Sequence, residues 1–120
     1  MTVSVEWADG SQRALRFKYL NTWTWDDYFD ALSQSDRLIA QVRHPVSVID
    51  DFGASQGFPH STPNHLMQYA QALNERGVKH FVVGGGDLWR SLWTLLVRHC
   101  PSLEHTVIPV TSITGALRHL

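Results

Sequence analysis

One cysteine, Cys100, in 120 residues means that no disulfide can form within the chain, so its stability has to come from packing. No apolar run approaches the roughly 20 residues that a membrane-spanning helix needs. Basic charge is not in surplus either. Ten Lys and Arg stand against eleven Asp and Glu, a net charge of −1, whereas a nucleic-acid-binding domain usually shows a basic face. The first residues lack the basic and apolar regions of a signal peptide, so the expected location is the cytoplasm. Linkers, internal repeats and low-complexity tracts are missing as well. Apolar material is plentiful: at 43% hydrophobic residues the chain can bury one core, and a single domain over residues 1–120 is expected.

Val3, Val5 and Trp7 alternate with Ser4 and Glu6, the period of a half-buried strand. After a turn at Asp9-Gly10, Leu15, Phe17 and Tyr19 alternate with Arg16 and Lys18, predicting an antiparallel hairpin whose basic residues face solvent. Thr24 is placed to cap a helix, with Asp27 at the far position of a capping box. Trp25, Tyr28, Phe29, Leu32, Ile39 and Val42 fall on one face of that helix. His44-Pro45 is expected to end it, because the residue before proline is pushed out of helical geometry. Val46, Val48 and Ile49 predict a strand that stops at Asp50-Asp51. Thr62-Pro63 suits the start of a second helix, with Leu66, Tyr69, Ala70 and Leu73 inward and Gly77 as its stop. Phe81 to Val83 make a short apolar strand. Gly84-Gly85-Gly86 with Asp87 as cap then leads into a third helix, with Trp89, Leu92, Trp93 and Leu96 on one side and Pro101 at its end. Val107, Ile108 and Val110 form a last strand, and Thr111 or Ser112 caps a final short helix.

The order ββαβαβαβα predicts an α/β fold: one mixed sheet of about five strands with right-handed βαβ crossovers. Ligands of such sheets tend to sit outside the carboxyl ends of the strands. That rule draws attention to Asp50-Asp51 and to the loop from Phe52 to Asn64.

The strand VSVIDD, the loop GASQGFPHSTPNHL leading into a helix, the segment NERGVKHFVVGGG and the closing TVIPVTSITGALRHL together resemble the STAS domain, and more closely its bacterial SpoIIAA-like group, over essentially the whole chain. The front half, with WTWDDYFDAL after a hairpin, is similar to short stand-alone SpoIIAA-like proteins of bacteria. In sporulation-type members of that family, an Asp-Ser-Ser-Gly stretch carries a serine phosphorylated by a kinase that doubles as an anti-sigma factor. On this chain the stretch falls on His60-Ser61-Thr62-Pro63, so the resemblance makes Ser61 the phosphoacceptor candidate, with His60 and Pro63 in place of Asp and Gly. Asp51 lines up with the family's strand-end aspartate. The implied activity is regulatory, by binding a protein partner such as an anti-sigma or kinase-like regulator.

Other chemistries are less well supplied. Asp50 and Asp51 are adjacent on a strand, point to opposite faces, and so cannot converge on one atom. His60, His65 and Asp51 lack the spacing and ligand number of a zinc site. The triple glycine lacks the Lys-Ser/Thr of a P-loop. Ser55 and Ser61 are not in a nucleophile-elbow sequence. The expectation is therefore a non-enzyme with no catalytic residue, metal or cofactor. Its partner- or ligand-binding loop would contain Asp51, Phe52, Phe58, His60, Ser61, Thr62 and His65. Five tryptophans allow two further readings beside core and rim: a homodimer surface, or an apolar pocket or membrane-facing helix. From the latter comes the alternative function, a carrier or sensor of a small hydrophobic ligand at a membrane surface, with a cleft between the first helix and the Trp89–Trp93 helix.

Overall fold

The computed structural model describes residues 2–60, 63–75, 79–84 and 86–120. β1 (Val3–Trp7) and β2 (Ala14–Asn21) form the hairpin, followed by α1 (Trp25–Ala40), β3 (Ser47–Ser55), α2 (Pro63–Glu75) and β4 (His80–Gly84). Then come α3 (Gly86–His99), a one-turn α4 (Leu103–Thr106), β5 (Val107–Val110) and α5 (Ile113–Arg118). The five strands lie in the order β1-β2-β3-β4-β5, antiparallel between β1 and β2 and parallel in every later pair. The expected α/β class and single mixed sheet are what the chain forms. α4, a turn added after Pro101, is the one element that the sequence pattern did not separate.

The monotonic strand order explains the layering. Crossovers of one hand that always step the same way along a sheet stack their helices on the same face. Trp25 and Tyr28 of α1, Tyr69 and Leu73 of α2, Trp89 and Leu96 of α3, and Leu103 of α4 accordingly share one cluster with Val3, Phe17, Val48, Phe52 and Val82 of the sheet. The opposite face is covered only in part. There Ala116, Ile113 and Leu117 of α5 pack on Ile49, Phe81 and Val83. Beyond α5, Ser4 pairs with Lys18 and Glu6 with Arg16 across the hairpin, on the outward side that alternation predicted.

Three local expectations are corrected. α1 stops at Ala40, well before His44-Pro45, with Gln41 as its C-cap. At its other end Thr24 Oγ1 accepts from Asp27 N at 3.1 Å as expected, but the Asp27 carboxylate does not turn back to its own helix. It accepts instead from Thr2 N at 2.8 Å and Thr2 Oγ1 at 2.7 Å, tying α1 to the start of β1. These bonds hold the Asp27 carboxyl below its ordinary value. In the third helix Gly86 is already helical, so the first helical residue precedes Asp87 and Asp87 is not the cap. The stop assigned to Gly77 lies outside the described residues.

β3 differs more consequentially, because it runs on through Asp50-Asp51 to Ser55. Aspartate disfavours strands, yet that preference yields to lateral partners. Phe52 pairs with Gly84 on one side, while Ala54 and Ser55 pair with Leu20 and Asn21 on the other, after a register shift in β2. Trp23, Trp25 and Trp89 are buried, while Trp7 and Trp93 are half-buried at the core's margin. Among the described residues no helix is long and apolar enough to cross a membrane.

Candidate functional site

The carboxyl ends of β3 and β4 present two shallow hollows on either side of Gly84. The first, about 270 Å3, is walled by Phe52, Gly53, Ser55, Gln56 and Phe58. The second, about 230 Å3, lies among Val82, Trp89, Arg90, Trp93 and Pro109. Gly84 is required between them. Its φ is +79°, and a Cβ there would stand 3.0 Å from Gly53 N and 3.1 Å from the carbonyl carbon of Phe52. Among the described residues neither hollow is lined by a carboxylate, imidazole, thiol or amine, and Ser55 Oγ is spent on the backbone of Gly57, donating to its oxygen at 2.7 Å.

The predicted loop residues have separate fates. Asp51 is in β3, 7% exposed, with its carboxylate on the α5 side of the sheet. Arg16 donates to its Oδ2 through both Nε (3.1 Å) and a terminal nitrogen, and Gly53 N donates to its Oδ1 at 2.9 Å. It therefore braces the end of the strand. Phe52 is not on a loop surface: it is 2% exposed in the core, stacked on Tyr19 with ring centroids 4.2 Å apart. Phe58 does lie on the loop and folds inward, contacting Phe52 at 5.1 Å, Trp23 at 5.8 Å and Trp89 at 6.2 Å between centroids. This anchor fixes the ledge 56–60 over the first hollow. His60 is exposed on that ledge. His65, on α2, stacks over Trp25 at 5.4 Å. Asp51 and His65 thus stand on opposite sides of the sheet and cannot share a ligand. Ser61 and Thr62 lie outside the described residues.

Reading Asp50 as the end of a strand missed its place in the core. Residues 48, 50 and 52 share a face, Val48 and Phe52 are apolar, and that parity alone marks Asp50 as buried. It is 2% exposed, with Tyr19 Oη donating to Oδ1 at 2.7 Å and His80 Nδ1 3.7 Å from Oδ2. Burial first, and then the negative charge of Asp50, push the Tyr19 and Tyr69 hydroxyls well above their ordinary value, so both hold their protons and Tyr19 donates to Asp50. The space beside Asp50 and His80, walled by Phe17, Tyr28, Leu32 and Leu73, is only about 10 Å3. That is room for one water at most. Tyr69 of α2 packs edge-on against Trp25 and Tyr28 of α1, and all three belong to the same core cluster as Trp89 of α3.

Cys100 is half-buried, its Sγ 3.3 Å from Ser102 Oγ. No family model, curated protein or solved structure matches this chain.

Proposed function

We propose that the protein is a small regulatory module of the STAS, SpoIIAA-like type that acts in the cytoplasm. It binds a protein partner, of the anti-sigma or kinase-like kind, at the carboxyl ends of β3 and β4. The observation that supports this reading is the form of that surface: two shallow hollows without acid–base side chains, beside a ledge pinned by Phe58 onto Trp23, Phe52 and Trp89. Such a surface suits contact with a folded partner, because it is open and carries bare backbone at Gly53 and Gly84. Each hollow, at about 270 and 230 Å3, is also smaller than the roughly 300–1,000 Å3 of a typical small-molecule pocket.

A photo-crosslinking residue placed at Gln56 or His60 in the native cell tests the reading. One protein should be captured from both positions and not from Lys18, on the outer face of the hairpin. Phosphorylation at Ser61 belongs to the same proposal, so Ser61→Asp and Ser61→Ala should change the yield in opposite directions. Equal capture from Lys18 would refute the surface, and equal yields from the two Ser61 variants would refute the switch.

A further inference from the structure

The opposite end of the sheet holds a larger cavity open to solvent, about 560 Å3, lined by the exposed Ser11, Arg13, His44, Lys79 and His119 and by the buried Ser47. Sequence separates these residues widely, but strand pairing gathers them. Arg13 precedes β2, Ser47 begins β3 and Lys79 precedes β4, with Ser47 N donating to Arg13 O at 2.9 Å and Val48 N to Lys79 O at 2.8 Å. His44 comes from the α1–β3 connection and His119 from the end of α5.

Charge is the telling feature. Two permanent cations and two imidazoles converge on one cavity in a chain of net charge −1, and among the described residues neither Asp nor Glu lines it. Arg13 is braced from behind: its Nε donates to Ser11 Oγ at 3.2 Å, and that hydroxyl is bonded to Asp9. Among the described residues, the terminal nitrogens of Arg13 and the Lys79 ammonium have no hydrogen bond and no carboxylate within ion-pair distance. Ser47 adds a hydroxyl: the residue lines the same space and its side chain makes no hydrogen bond among the described residues.

We propose that this cavity binds a soluble phosphate monoester, a site separate from the partner surface at the other end of the strands. A phosphate dianion offers three terminal oxygens and two charges, which match a guanidinium fork, an ammonium and a hydroxyl better than a single carboxylate does. Pro45, Leu120 and the His119 ring, which stacks on Phe81 at 5.8 Å between centroids, supply an apolar wall for the organic part. The volume lies in the range of about 300–1,000 Å3 typical of small-molecule sites.

The test is titration of the 15N-labelled full chain with phenyl phosphate, inorganic phosphate and acetate at matched ionic strength. Saturable amide shifts at Ser47, Lys79 and His119 are expected, tighter for phenyl phosphate than for inorganic phosphate and weakest for acetate. Lys79→Gln and Arg13→Gln should each weaken binding by about tenfold, the usual value of one charge-assisted hydrogen bond. Lys79 is exposed, so its variant tests the site even where Arg13→Gln fails to fold. Any one of three results overturns the proposal: no saturation by phenyl phosphate, equal response to acetate, or unchanged affinity in Lys79→Gln. Retention on phosphatidic-acid vesicles without any response to the soluble ester overturns it too, assigning the charge to a lipid surface.

Discussion

Tyr19→Phe removes a single oxygen from a side chain with no solvent exposure, and the structure gives that oxygen one large task. It donates at 2.7 Å to Asp50 Oδ1, while Asp50 Oδ2 has no hydrogen-bond partner among the described residues and only the His80 ring 3.7 Å away. Without Tyr19 Oη, a carboxylate only 2% exposed loses the hydrogen bond that offsets its desolvation. A hydrogen bond to a charged group contributes about 1.5–3 kcal/mol, and a buried acceptor left unpaired falls at the upper end, so a loss of about 2–3 kcal/mol is expected. Against a total stability of about 5–15 kcal/mol for a domain this size, the variant still folds. With an m-value of about 1–3 kcal/mol per molar urea, the unfolding midpoint should drop by roughly 1 M at unchanged m. A double variant makes a sharper test, since replacing both partners by apolar groups is far less costly than stranding one. In an Asp50→Leu background, Tyr19→Phe should therefore cost about 1–3 kcal/mol less than it does alone. A single variant within about 0.5 kcal/mol of the parent, or costs that simply add, would refute the account of this cluster.

Two further outcomes concern alkaline pH and the strand ends. Tyr19 and Tyr69 have folded-state pKa values raised by burial and by Asp50, so their stabilisation is complete below about pH 10 and is lost as pH rises further, while the unfolded chain gives up protons that the folded chain keeps. Stability should then fall by about 1.4 kcal/mol per pH unit for each tyrosine, and urea midpoints across the alkaline range should show Tyr69→Phe with a clearly shallower slope; identical slopes would contradict the shift. At the strand ends, Gly84→Ala meets both φ +79° and backbone atoms 3.0–3.1 Å from the new Cβ, whereas Gly86→Ala meets φ +48° and open space. Thermal unfolding should report a loss of about 2–3 kcal/mol for the first and about 1 kcal/mol for the second, and a reversed ranking would contradict the close approach of β3 and β4.

Much of the fold is legible because its signals are local. Alternation in Val3 to Trp7 and Leu15 to Tyr19, the cap at Thr24, and the apolar stripes of α1 and α3 each depend on a few neighbouring residues. The candidate site was legible only in part. Phe58 and His60 do sit on the loop at the strand ends, but Phe52 was read as loop because two aspartates looked like the end of a strand. They do not end it, because Arg16 and Tyr19, 35 and 31 residues away from Asp51 and Asp50, satisfy them from β2. The strand-end rule itself also lost force. It works best where strand order reverses and leaves a crevice, and here the order is monotonic.

By itself the sequence determined which elements form, their order, and which residues of each strand share a face, since backbone sterics and side-chain period act within a few residues. Strand order, the length of β3, the company kept by Asp50 and the meeting of Arg13, Ser47 and Lys79 were decided by tertiary structure. Each depends on residues far apart in the chain being brought side by side by pairing in the sheet, and no local pattern carries that information.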